Sequence, residues 1–284
     1  MAIAGKPNAG KSTLFNALVG ERLAIITPKP QTTRIPLLGV LTRPTSQIVL
    51  WDTPGLLDPK YRLQEVMRAH VARRLRDSDV VLGLVDANDQ DADDDYIGVL
   101  TKIRAPLIVG LNKTDLVGPE SLDCLTRLVR ARLPAQAVVA ISALKGTGLD
   151  ELLSCIEALL PFGPKLYPDE MLTDQPERFF VTELIREAVF NLLSEEVPYA
   201  IAVSIEEFRE EGKKTYIRAN ICVERDSQRG IVIGARGRML KRIGSKARGR
   251  IEGFLERPVY LDLWVKVREN WRKKDEDLRE FGYA

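Results

Sequence analysis

Residues 5–12 read GKPNAGKS, the spacing G-x-x-x-x-G-K-S. No other stretch narrows the fold as much. Glycines at Gly5 and Gly10 let a loop turn tightly enough for its backbone N–H groups to face inward. Such a loop needs a strand to deliver it and a helix to leave it, because the helix N-terminus completes a cradle for phosphate. Apolar residues before Gly5 supply a strand end, and residues 12–19 read as a helix. Only residues 1–4 precede the loop, so the first strand is expected to be short or trimmed. Asn8, in the middle of the loop, has no obvious use in holding phosphate.

The stretch that follows has βαβ grammar. Residues 80–86, 106–112 and 137–142 are short apolar runs without alternation, as in strands covered on both faces. Helical stretches lie at 61–76, 94–103, 120–132 and 149–160, and residues 36–41 and 47–51 read as a hairpin at one edge. The expectation is an α/β domain over residues 1–160 with a doubly wound, mostly parallel sheet. Residues 161–177 carry four prolines and no periodicity, which reads as a linker. Residues 178–284 then form an α+β module. Its expected parts are a helix at 180–194, strands at 200–208 and 215–224 joined by REEGKK, an apolar turn GIVIG, a basic helix, a strand at 259–267 and a charged helix at 274–281. The order is α-β-β-α-α-β.

Bulk properties exclude several chemistries. The three cysteines are scattered, without metal or disulfide spacing, which fits a reducing compartment. The single histidine, His70, rules out histidine triads and multi-histidine metal sites, and it falls in an amphipathic helical stretch. The acidic run DQDADDD at 89–95 lacks the glycine and glutamate of a calcium loop and reads as a solvated helix start. No apolar run has membrane-span length and no signal-peptide layout is present, so the cytoplasm is the expected location. Net charge is only +2, yet residues 225–250 hold nine Lys or Arg against Asp226, a local +8.

Four motifs carry the chemistry of the first domain. In the first, Gly5, Asn8, Ala9, Gly10, Lys11, Ser12 and Thr13 are the candidate phosphate contacts, with Lys11 neutralising charge and the Ser12 hydroxyl available to magnesium. DTPG at 52–55 ends an apolar strand. Asp52 suits the magnesium shell, and the Gly55 N–H suits a terminal phosphate. NKTD at 112–115 also follows a strand. Asp115 can accept from guanine N1–H and its 2-amino group, donors that adenine lacks, so a buried carboxylate there would penalise ATP. Asn112 is expected to hold the loop and contact guanine N7, and the Lys113 stem to cover the base. In SALKG at 142–146, Ser142, Ala143 and Leu144 are candidates, with the Ala143 amide donating to guanine O6.

In order and spacing these motifs resemble the translation-factor-related P-loop GTPases. The resemblance implies GTP and GDP as ligands with Mg2+. It also implies that Thr33 of QTTR (31–34) binds the metal in the GTP state, with Thr32 as the other candidate. Lys11, Thr33, Gly55 and Asn8 are then the candidate catalytic groups. Leu56 stands where Ras-like proteins have the glutamine that orients water, so intrinsic hydrolysis is expected to be slow. In the subgroup with G-x-P-N-x-G-K-S and a hydrophobic residue at that place, the loop asparagine ligates potassium. Asn8 matches, and its alternative use is to brace the loop.

The segment GIVIGARGRMLKRIGSKARGRIEGFL places Gly234-Ala235-Arg236-Gly237 between an apolar, strand-like stretch and a basic helix. It resembles the KH module, in which a GXXG loop clamps four nucleotides of single-stranded RNA, and the element order matches the type II topology. Ile233, Gly234, Ala235, Arg236, Gly237, Arg238, Lys241 and Arg242 are the candidate RNA contacts, with Ile231, Ile233 and Ile243 lining a base groove. A G domain followed by such a module resembles the Era-type GTPases over essentially the whole chain, including VPYA (197–200), YLDLWVKV (260–267) and NWRK (270–273). That resemblance implies a monomeric ribosome-assembly GTPase binding the 3′ end of 16S rRNA on the small subunit, with peripheral association at the inner membrane. Two other readings stand beside it. One is a GTPase of another branch, such as a tRNA-modification or double-G-domain relative. The other is an RNA-binding adaptor that holds nucleotide without turnover.

Overall fold

The structure, a computed structural model, describes residues 1–89 and 94–284. It divides into two compact units, Met1–Pro59 with Gln64–Asp174, and Lys60–Leu63 with Gln175–Ala284.

The first unit is built on a six-stranded sheet. Its strands are β1 (Ala2–Gly5), β2 (Leu37–Thr42), β3 (Gln47–Asp52), β4 (Val81–Asp86), β5 (Leu107–Asn112) and β6 (Ala137–Ala140), in the order β2-β3-β1-β4-β5-β6. All neighbours are parallel except the β2–β3 hairpin at the edge. β5 is buried at every residue, which is why its sequence does not alternate. Helices α1 (Lys11–Val19), α2 (Arg62–Asp77), α3 (Asp94–Leu100), α4 (Pro119–Arg132) and α5 (Leu149–Glu157) connect or follow the strands. The sheet grows to one side of β1 through β3 and β2, and to the other through β4 to β6. Ligands of doubly wound sheets sit beyond the carboxyl ends of strands at such a reversal, and there the chain turns from Gly5 into α1.

The expected linker is tied to the sheet edge. Val40 N–H donates to the Leu172 carbonyl at 2.8 Å, while Gln47 accepts from the N–H groups of Leu166 and Tyr167 and donates to the Tyr167 carbonyl. These bonds satisfy backbone groups that an edge strand otherwise exposes. The acidic run lies partly outside the described residues. Of its members, Asp89 pairs with Lys6 at 3.2 Å, and Asp94 and Asp95 open α3, where the helix dipole favours acids.

The second unit carries α6 (Glu177–Leu192), β7 (Ala202–Glu211), β8 (Lys214–Val223), α7 (Asp226–Ile233), α8 (Arg238–Leu255), β9 (Val259–Val267) and α9 (Asp275–Glu280). β7 and β8 are antiparallel, and β8 and β9 are parallel. Val181, Ile185 and Val189 of α6 and Ile243 and Ile251 of α8 pack on Ile217 and Ile221 of the sheet in one apolar cluster. The REEGKK segment is mostly strand: Glu211 pairs with Lys214, leaving a two-residue turn with Gly212 at φ +59°.

The apolar GIVIG stretch, expected to be a turn or strand-like, is the end of helix α7. Its β-branched residues favour strand, but two local features win. The Gln228 side chain accepts from the Glu224 and Arg225 N–H groups at 3.0 and 3.2 Å, closing the helix start, and Val232 is fully buried in the core. Other element ends shift by one to three residues from expectation, as hydrophobic pattern sets them loosely.

Candidate functional site

The loop from β1 to α1 is held from within. Lys11 Nζ donates to the carbonyls of Gly5 and Lys6 at 3.0 and 2.8 Å, wrapping the loop around its own ammonium. Asn8 and Gly10 adopt left-handed backbone at φ +65° and +93°. A Cβ on Gly10 would lie 2.3 Å from Asn112 Nδ2, so glycine is required there on two counts.

Three residues expected to share magnesium meet in one corner. Ser12 Oγ and Thr33 Oγ1 donate to Asp52 Oδ2 at 2.8 and 3.0 Å and lie 3.0 Å from each other. Asp52 is fully buried, and its Oδ1 has no hydrogen-bond partner. Burial pushes the Asp52 carboxyl upward, against Lys11 and the two hydroxyls, and burial pushes Lys11 down to about 8, against Asp52. Each is the opposite charge that offsets part of the other's burial. Two hydroxyls and a carboxylate, one of whose oxygens is buried without a partner, form a hard oxygen donor set, which fits Mg2+. Thr33, of the two neighbouring threonines, is the one in hydrogen-bond reach of Asp52. Both line a cleft of about 290 Å3 with Asn8, Lys11, Gly55 and Lys113. Thr13 belongs to the same wall.

Gly55 sits against the loop. A Cβ there would lie 2.9 Å from Pro7 N, and the next N–H, of Leu56, donates to the Gly5 carbonyl at 3.1 Å. The half-buried Leu56 side chain packs against the apolar cluster of the first unit. The residue at the water-orienting place thus serves the core.

At the other end, Asn112 Nδ2 donates to the Ala9 carbonyl at 2.8 Å, and Asn112 Oδ1 accepts from the Ala143 N–H at 2.9 Å. Asn112 therefore ties loops together. The Ala143 amide expected at guanine O6 is occupied by this bond, and Leu144, exposed beside it, offers the next amide. Asp115 is exposed rather than buried; one oxygen accepts from Ser142 Oγ at 2.5 Å. Lys113 adopts φ +67° and its Nζ pairs with Asp86 Oδ2 at 2.6 Å, which stretches its stem along the cleft. The sequence reading omitted Asp86. Its register with Asn112 across β4 and β5 is a tertiary fact, although an aspartate ending a buried strand was a readable hint.

In the second unit the GXXG loop links α7 to α8. Gly234, Arg236 and Gly237 have φ of +69°, +52° and +74°. A Cβ on Gly234 would lie 2.6 Å from Met239 Cβ, so the tight turn requires glycine there. Arg236, Arg238, Lys241 and Arg242 are exposed, and Arg238 Nε donates back to the Ala235 carbonyl at 3.3 Å. Ala235 is exposed and Ile233 half-buried. The groove beside the loop differs from expectation. Ile243 is fully buried in the core and cannot line it. Leu240, Gly244 and Arg248 of α8 with Leu261 and Leu263 of β9 form an open groove of about 440 Å3 that begins at Gly237. Helical spacing from Gly237 and alternation along β9 would have pointed to these residues.

Residues 1–113 match the family described as 50S ribosome-binding GTPase, and residues 196–272 match the KH domain family. A curated relative, GTPase Era of Carboxydothermus hydrogenoformans, is 45% identical over 288 residues, spanning 100% of this chain and 97% of the relative. A crystal structure of Era in complex with MgGDPNP and nucleotides 1506–1542 of 16S ribosomal RNA has TM-score 0.95 and 41% identity, covering 100% of this chain and 97% of that one. A variant of Aquifex aeolicus Era bound to GDP and AlF4− has TM-score 0.95 and 40% identity, with 100% and 98% covered.

Proposed function

The chain belongs to the Era family of GTPases, and on that premise we propose that it is a GTP-hydrolysing switch that binds the 3′ end of 16S rRNA through its KH domain. The observation that carries this reading is the corner where Ser12 and Thr33 converge on Asp52, whose buried Oδ1 lacks a partner. A nucleotide triphosphate beside Lys11 adds negative charge next to the lysine. Magnesium bound to Ser12, Thr33 and Asp52 neutralises charge on the β- and γ-phosphate oxygens. Lys11 holds the phosphates, the Gly55 N–H contacts the γ-phosphate, and Asn112, Asp115 and the Leu144 amide position guanine. The relatives' complexes with MgGDPNP and with GDP and AlF4− support GTP as substrate.

The Leu56 side chain cannot orient water, so we propose that Asn8 helps to hold potassium, which supplies positive charge near the transferring phosphoryl group. The exposed GXXG loop and the Leu240–Leu261–Leu263 groove suit single-stranded RNA: glycines admit the phosphates, and arginines and Lys241 neutralise them. The relative's 16S rRNA complex supports the same partner here. Action on the small subunit during its assembly, in the cytoplasm with peripheral contact to the membrane's inner face, follows as part of the proposal. Among the described residues no helix is long and apolar enough to cross a membrane.

The test is GTP turnover with magnesium and potassium, with and without an oligonucleotide of the 16S rRNA 3′ end, beside RNA affinity in the GTP-analogue and GDP states. Turnover and tighter RNA binding with the analogue are expected. Absence of turnover in both cases would favour the non-hydrolysing adaptor.

A further inference from the structure

The loop between α1 and β2 carries Thr33 into the magnesium corner, and the bonds that hold it include four anchors. At its root the buried Asn16 of α1 accepts from the Leu23 and Ala24 N–H groups at 3.1 and 2.8 Å and donates to the Ala24 carbonyl at 2.9 Å. Midway, Asn8 Nδ2 lies 3.4 Å from the Pro28 carbonyl. At its end Thr33 Oγ1 reaches Asp52. The fourth anchor is Gln31, whose Oε1 accepts from Gln64 Nε2 at 3.2 Å.

Gln31 differs from the residues around it. Its φ is +61°, a conformation that a non-glycine residue keeps only when its surroundings hold it. It lines the same cleft as Lys11, Thr33 and Gly55. Gln64 is buried in the first turn of α2, nine residues past Gly55. Of the four anchors, the other three come from the P-loop, α1 and β3. Gln64 comes from the segment that the DTPG loop feeds.

We infer that Gln31 and Gln64 form an amide latch joining the two loops that face the γ-phosphate, and that Gln64 is a positioning residue for Thr33. The inference rests on the GTPase reading above. Gln31 is two residues from Thr33, so fixing its backbone restricts where the Thr33 hydroxyl points. Release of either loop breaks the same hydrogen bond, which makes the two openings one event. The latch joins the loop that carries Thr33 to the segment after Gly55, the two places expected to sense the γ-phosphate, so it acts on the triphosphate state.

The full-length chain tests this with Gln31→Ala, Gln64→Leu and the double variant. Gln64→Leu preserves volume in a buried place. Each of the first two is expected to lower kcat about fivefold, the effect of one net hydrogen bond, and to raise the Mg2+ concentration needed for half-maximal turnover. GDP affinity stays unchanged, and the double variant is no worse than either single one. Additive losses in the double variant, or a matching fall in GDP affinity, would overturn the latch. If Gln64→Leu fails to fold, Gln31→Ala decides: an unchanged kcat and Mg2+ requirement in that variant would overturn the latch. Absence of turnover by the unaltered chain would instead sink the GTPase reading, and the latch with it.

Discussion

Asn112 donates to the Ala9 carbonyl at 2.8 Å, a bond between the base-reading motif and the phosphate loop across 103 positions of sequence. The other end of the same amide holds Ala143. Phosphate and base contacts are therefore built around one side chain. Asn112→Ala removes both bonds and leaves two buried backbone groups unpaired. It should weaken GDP binding by roughly 2 kcal/mol, about thirtyfold. Titration calorimetry checks this, and an affinity within a factor of about two of the unaltered chain would contradict it.

Gly10→Ala tests the same junction from the other side. Its Cβ would meet Asn112 Nδ2 at 2.3 Å, and φ of +93° disfavours any side chain. A loss of at least about 1–2 kcal/mol in nucleotide affinity is expected from the backbone alone. Gly20→Ala is the control, because φ is +84° but nothing lies within 4 Å and the residue is outside the cleft. It should cost stability and spare affinity.

Base selection should rest on Asp115. Its carboxylate is exposed and steadied by Ser142, so the bound base covers it rather than entering a sealed pocket. Asp115→Asn should weaken GTP roughly 30-fold or more, by setting an amide N–H against one of the two guanine donors, while stability of the free protein changes little. Competition binding with GTP, ITP and ATP separates the donors: ITP lacks the 2-amino group and should lose less than GTP.

If Asn8 helps to hold a monovalent cation, turnover in KCl should exceed that in NaCl, and Asn8→Ala should remove the difference. Equal rates in the two salts would leave Asn8 as a brace for Pro28, which it approaches at 3.4 Å.

The two glycines of the RNA loop should behave differently. Gly237 has open space around it, so Gly237→Asp is expected to weaken RNA binding through charge and blocked approach, with guanine nucleotide affinity unchanged. Gly234→Ala drives a Cβ to 2.6 Å from Met239 and should destabilise the second unit by about 1–3 kcal/mol. Filter binding and thermal melting distinguish the two. RNA affinity unaltered in Gly237→Asp would overturn the assignment of the loop.

Thiol labelling reports on the second unit. Burial pushes the Cys222 thiol up to about 11, so at pH 8 it is protonated as well as covered, while Cys124 is exposed. An alkylating reagent at pH 8 should modify Cys124 quickly and Cys222 only after unfolding. Raising the pH toward 11 raises the thiolate fraction at Cys222, but labelling stays limited by access.

Local chemistry was readable from the chain. A P-loop needs glycine, lysine and a hydroxyl at set spacing, and DTPG and NKTD follow strands whose apolar runs mark them, so the domain type and the candidate site residues could be read in order along the sequence. Asp52 with Ser12, and the GXXG loop before a basic helix, belong to this class. Periodicity failed where packing overrode it. The β-branched Ile231-Val232-Ile233 lie in a helix because Gln228 closes its start and Val232 fills the core. Ile243 resembled a groove residue until α8 turned it inward.

Spacing along one chain encodes which residues can hold a phosphate, a metal or a guanine edge, because those needs are met within a few residues of a turn. Which of two adjacent threonines reaches Asp52, which amide is taken by Asn112, where Lys113 finds Asp86 and how Gln31 meets Gln64 depend on the register of β4 with β5 and on the placement of α2. These are pairings between distant segments. Hydrophobic burial of the sheet brings them together, and no local pattern records them.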